Sequence, residues 1–185
     1  MIQQLSPNAR RAVVFGAGAA TVYIAMVLGS LAELEAISGL KPFDLRPTGY
    51  GPNDARTLLV SLGETGREIY LRHQLVLDTA YPALLALTLS NLFRLVGQGF
   101  GVGVSVRIGV VLSWLTAALD YAENIGIAAM LALWADLPNA LATATSLATV
   151  AKSVSTSVAV TTLLGLLALR LWRFRRPKFQ AEPKR

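Results

Sequence analysis

The sequence predicts an all-α polytopic membrane protein, a bundle of four transmembrane helices with an ordered extracytoplasmic loop between helices one and two. Three observations carry this. Hydrophobic residues make up 54% of the chain and charged residues only 15%, with a mean hydropathy of +0.51; soluble domains are about 25% charged. The apolar residues fall in four long blocks, each able to supply the roughly 20 residues that a spanning helix needs. The basic residues are spread unevenly about those blocks, and the turn between the third and fourth has none.

The first helix is expected over residues 12–32, after Arg10 and Arg11. Its apolar core of about 20 residues exceeds the 7–15 of a secretory signal, so it reads as an uncleaved span. Its small residues Gly16, Gly18, Ala20 and Gly29 suit close helix packing in lipid. They do not make a dinucleotide turn, because Thr21 stands where the third glycine belongs and no second strand follows.

Residues 33–65 form the long connection. Pro42 to Pro52 is turn chemistry with aromatics and an Asp44-x-Arg46 pair. Asn53 or Asp54 can cap a short helix running to Leu62 and ended by Gly63. Thr65 and Glu68 then form a capping box, so the second helix starts near Gly66 and runs to residue 96. Its first turns rise above the bilayer. A loop of this length either covers a site or simply packs on the helix ends. The third helix is expected over 106–135 and the fourth over 141–172. One membrane domain then covers residues 1–176, and residues 177–185 are a basic cytoplasmic tail.

Arg10, Arg11, Arg94, Arg107 and the basic residues from Arg170 onward lie at one end, whereas the turn Asp136 to Asn139 has none. This places both termini in the cytoplasm of a bacterial-type inner membrane and the long connection outside. In a soluble protein the net charge of +6 would suggest nucleic acid. Here the charge lies beside the bilayer without any reader motif, so the expected partners are membrane lipids and not nucleic acid. There is no cysteine, and the single histidine, His73, reads as an interfacial residue. No metal and no cofactor is expected.

The chemistry lies in ionisable groups inside the spans. Each costs roughly 2.5–3.5 kcal/mol at a helix centre by insertion scales, so four of them need a reason. On helix two, Arg67, Tyr70, Gln74, Asp78 and Tyr81 share a face at helical spacing. Pro82 frees the Asp78 carbonyl from its helical bond. On helix three the polar face is Ser113, Thr116, Asp120, Glu123 and Asn124; on helix four it is Thr145, Thr149, Lys152 and Thr156. At 1.5 Å per residue, Asp78 lies about 9 Å deep, Asn124 and Lys152 about 15 Å, and Asp120 about 20 Å. The groups therefore converge in the outer half of the bundle, and Tyr23 can reach the same layer.

Three carboxyls against one ammonium leave excess negative charge, which argues for a carboxyl holding its proton. Asp78, Asp120, Glu123 and Lys152 are the candidate catalytic residues, with Asp120 and Glu123 expected to differ in protonation. Tyr70, Gln74, Tyr81, Asn124 and Arg67 are the candidate substrate-binding residues.

The run Phe43 to Tyr50, then Tyr70-Leu-Arg72, Leu77 to Pro82, Leu119 to Asn124 and a lysine in helix four resembles a group of small bacterial four-span inner-membrane proteins. That resemblance implies the fold and no mechanism. The paired acids are also loosely similar to those of sterol-isomerase-like membrane folds, from which no residue role is carried over. Three function classes stay open: an acid–base membrane enzyme acting on a lipidic or isoprenoid substrate, a ligand-binding or transport protein, and an accessory subunit whose polar core only locks packing. A transporter this small would have to be a homo-oligomer.

Overall fold

The computed structural model describes residues 5–98 and 101–175, and is helical without strands among them. Four helices are long and apolar enough to cross a membrane. We label them α1 (Pro7–Ser38), α3 (Gly63–Gly97), α4 (Gly103–Ala132) and α5 (Asn139–Arg175), with a short α2 (Pro52–Ser61) in the connection. The chain is thus a multi-pass membrane protein whose helices expose Val14, Leu28, Val76, Ile125 and Leu164 where lipid tails would lie.

Local chemistry sets the helix ends. Ser6 accepts a hydrogen bond from the Ala9 N–H at 3.3 Å and Pro7 opens α1. Gly39, left-handed at φ 67°, ends it. α1 therefore runs past residue 32, and the connection proper begins at Gly39. Pro52 opens α2, and Asp54 reaches back to accept from the Gly51 N–H at 2.9 Å. The expected Thr65–Glu68 capping box does not form. Gly63, at φ 60°, reverses the chain without help, so α3 starts there and Thr65 lies inside it. α4 covers residues 103–132, three residues earlier at each end than its apolar block, because a 3-10 turn over Trp134–Asp136 takes its last residues. The 99–100 part of the glycine-rich turn and the tail 177–185 lie outside the described residues.

The spans pack in chain order. α1 lies chiefly along α3, α3 along α4, and α4 along α5, while α3 also touches α5. Antiparallel neighbours come close where glycine permits. A Cβ on Gly126 would sit 2.3 Å from Thr145 Oγ1, so α4 and α5 meet there almost backbone to backbone. At the Gly97 end, Phe93, Val96 and Leu166 form an apolar plug. The Arg170 guanidinium donates to the Leu95 and Val96 carbonyls, the latter at 3.1 Å, and so satisfies free carbonyls near the end of α3.

The connection is a packed cap. Leu34, Phe43, Leu58, Leu59, Leu62, Tyr70, Ile127, Met130 and Ala142 form one buried core linking it to α3, α4 and α5. Arg56 ties α2 to the turn after α4, donating to the Leu137 carbonyl at 2.9 Å. α1 and α3 each contain a π-helical turn, Met26–Ser30 and Tyr70–Gln74, and the two turns face each other under this cap. Such turns re-aim side chains, here Ser30 and Gln74.

Candidate functional site

Beneath the cap, buried polar side chains sort into two networks with one acid between them. The first pins the connection. Gln74 is fully buried; its amide donates to Asp44 Oδ1 at 3.1 Å and its carbonyl accepts from Ser30 Oγ at 2.6 Å. The Tyr70 hydroxyl donates to the other Asp44 oxygen and accepts from the Phe43 N–H at 3.0 Å. Tyr70 and Gln74, expected as substrate contacts, are therefore engaged with the loop. Arg67 is also engaged elsewhere: its guanidinium stacks 3.9 Å from the Trp134 ring centre and donates to the Leu59 carbonyl at 2.9 Å. The tyrosine and glutamine are buried under the cap, and the arginine lines an open pocket at the rim beside Trp134.

The second network joins α4 to α5. The Lys152 ammonium lies 3.0 Å from Asp120 Oδ1 and also pairs with Glu123 Oε2. Glu123 Oε1 accepts from Thr149 Oγ1 at 2.6 Å. One turn on, the Thr116 and Ser155 hydroxyls share a hydrogen bond at 2.9 Å. Ser155, not Thr156, continues the stripe; Thr156 spends its hydroxyl on the Lys152 carbonyl of its own helix. Both acids thus share the one ammonium.

Asp78 is different. It is 4% exposed and makes no ion pair among the described residues. Pro82 supplies no N–H to the Asp78 carbonyl, and the Asn124 amide replaces it by donating at 3.2 Å. Asn124 therefore turns to α3, away from the Asp120–Glu123 face. The Asn124 carbonyl oxygen has no hydrogen-bond partner among the described residues. Tyr81, one turn from Asp78, packs on Tyr23 with ring centres 5.6 Å apart, so α1 does reach this layer.

On the membrane side of Asn124 a groove of about 480 Å³ runs between α3 and α4. Leu71, Leu75, Val76, Thr79, Tyr121, Ile125 and Ala128 complete its walls. The Tyr121 hydroxyl closes one edge by donating to the Thr79 carbonyl at 3.0 Å.

The sequence reading missed Asp44 and Tyr50. Gly49, at φ 83°, lays the chain on α5, where a Cβ would meet Ser146 Oγ at 2.6 Å. Ser146 in turn accepts from the Tyr50 N–H at 2.8 Å. The Tyr50 ring packs tilted on Phe43 with ring centres 4.7 Å apart, and its hydroxyl is buried near Thr149 and Glu123 with no hydrogen-bond partner among the described residues. Burial, and then the negative charge of Glu123, push that phenol's pKa above the usual tyrosine range. With Asp44 included, four carboxyls face one ammonium. His73 is exposed, outside both networks, and no group of three metal-binding side chains exists among the described residues.

No family model, no curated protein and no solved structure matches this chain.

Proposed function

We propose that this inner-membrane protein draws a lipidic ligand from the bilayer through the α3–α4 groove and holds its polar end at Asp78 and Asn124. The observation that carries the reading is the division of the carboxyls: Asp120 and Glu123 share Lys152, whereas Asp78 is buried with no ion pair among the described residues. A buried charge left alone is costly, so such a group persists where a proton or a ligand meets it. Asn124 lines the groove and lies beside the Asp78 carboxyl, and its buried carbonyl oxygen has no hydrogen-bond partner among the described residues.

This assigns the clusters different roles. The Lys152 triad holds α4 and α5 in register. Any proton exchange with a bound substrate belongs to Asp78, not to the Asp120–Glu123 pair. Both termini are cytoplasmic and the cap is external, as the basic residues at the Gly97 end and beyond α5 favour, so the ligand enters from the outer leaflet. The test is mass spectrometry of lipids that co-purify with the protein. Ile125→Trp, which fills the groove from its exposed wall, should remove a lipid that the wild type retains. Unchanged lipids would sink the lateral route.

A further inference from the structure

We propose that the rim pocket between the first turns of α3 and the end of α4 is a headgroup site for a phospholipid that carries both a phosphate and a primary amine, of the phosphatidylethanolamine type. This site lies above the α3–α4 groove and does not depend on what the groove holds.

The pocket has a volume of about 610 Å³, and Glu64, Arg67, Glu68, Arg72 and Trp134 are among its walls. Its level in the bilayer follows from helix length. At 1.5 Å per residue, the stretch of α3 from Arg72 to Arg94 spans about 33 Å, close to the roughly 30 Å of a hydrocarbon core. With Arg94 at one boundary, Arg72 stands at the other. Glu68, Arg67 and Glu64 rise from it through the headgroup layer, and Trp134, just past the end of α4, is an interfacial residue beside them. Leu71, which is 48% exposed, lines both this pocket and the groove below it. A headgroup seated here therefore has apolar surface directly beneath it for its chains.

The charges select the head. Glu64, Glu68 and Arg72 follow one another at four-residue spacing along one stripe of α3. Arg67 is held by its stack on Trp134 and its bond to the Leu59 carbonyl, which takes one of five N–H donors. Arg72 pairs with Glu68 at 3.1 Å, but the two side chains are 72% and 57% exposed, so the pair is weak and a ligand can rearrange it. Two guanidinium groups suit a phosphate. The two carboxylates beside them disfavour a head that is only anionic, and the guanidinium groups disfavour one that is only cationic. A head with both signs meets both, with its phosphate against the arginines and its ammonium against the glutamates. The order in depth agrees: a lipid's phosphate is the group nearer its chains, and Arg72 is the deepest of the four charges. A primary ammonium brings three N–H donors for the carboxylates. A quaternary ammonium has none and is held by open aromatic faces, whereas the Trp134 ring already carries Arg67.

The test uses the full chain in maltoside micelles. Native mass spectrometry follows titrations with the dilauroyl forms of phosphatidylethanolamine, phosphatidylcholine and phosphatidylglycerol. The proteins are wild type, Arg72→Gln, the double variant Glu64→Gln/Glu68→Gln, and Ile125→Trp in the groove. The three rim residues are exposed, so their variants keep the fold. Wild type should bind phosphatidylethanolamine about tenfold more tightly than either other lipid. Arg72→Gln should weaken that binding about fivefold, and the double variant should bind phosphatidylglycerol at least as tightly as phosphatidylethanolamine. Ile125→Trp should change nothing beyond about twofold. Equal binding of the three lipids to wild type, or a lead for phosphatidylethanolamine that survives in both rim variants, would overturn the headgroup site. Loss of the lipid in Ile125→Trp alone would assign it to the groove and overturn the rim site as well.

Discussion

Replacing Lys152 by Met removes the one cation from a site where its two partners cannot reach water. The side chains of Asp120 and Glu123 are 4% and 0% exposed, and that of Lys152 is 17% exposed. Breaking one buried ion pair typically costs about 3–5 kcal/mol, because the remaining charge is stranded. Two carboxylates share this ammonium, so Lys152→Met should fall at the upper end, about 5 kcal/mol. Asp120→Asn should cost less, because Lys152 keeps Glu123. The double variant Lys152→Met/Asp120→Asn should regain part of the loss, and adding Glu123→Gln should regain most of it. Pairing Lys152→Met with Asp78→Asn should regain little. Reversible unfolding in mixed micelles, followed by circular dichroism, reads these differences. A Lys152→Met protein within about 1 kcal/mol of wild type, or equal rescue by Asp78→Asn, would refute the assigned pairing.

Three further outcomes are expected. Gly126→Ala should destabilise the bundle by about 1–3 kcal/mol, because the added methyl must push Thr145 and hence α5 away; thermal unfolding checks it, and a neutral result means that α4 and α5 do not approach so closely. Tyr50 holds its proton more tightly folded than unfolded, so its contribution is intact below about pH 10 and declines as pH rises past that value. Tyr50→Phe should flatten the alkaline loss of stability, and an unchanged alkaline limb would place the phenol in water. Reporter fusions after Arg176 and within Thr48–Asp54 should report cytoplasm and exterior respectively, and a cytoplasmic signal from the second would invert the topology.

The spans were legible because length and hydropathy suffice for them. Their ends were not, since Gly39 and Gly63 act through positive φ and a glycine in sequence does not announce its dihedral. The polar faces were legible at helical period, which put Asp120, Glu123, Thr149 and Lys152 on facing stripes. Period could not say which acid the lysine chooses, because that depends on the rotation of α4 against α5. It also spread Arg67, Tyr70, Gln74 and Asp78 over one face, whereas a π-helical turn at Tyr70–Gln74 redirects part of that face. Asp44 and Tyr50 read as loop chemistry. What brings them into the bundle is the seat of Gly49 on Ser146, a contact between residues 97 apart in the chain.

Asp78 being the ligand-facing acid, with Asp120 and Glu123 committed to Lys152, is most directly tested by comparing the lipids that co-purify with wild type, Asp78→Asn and Asp120→Asn. The account predicts a lipid enriched over the bulk membrane extract in wild type and in Asp120→Asn, and lost from Asp78→Asn. Loss from Asp120→Asn with retention in Asp78→Asn, or one lipid profile for all three, would contradict it.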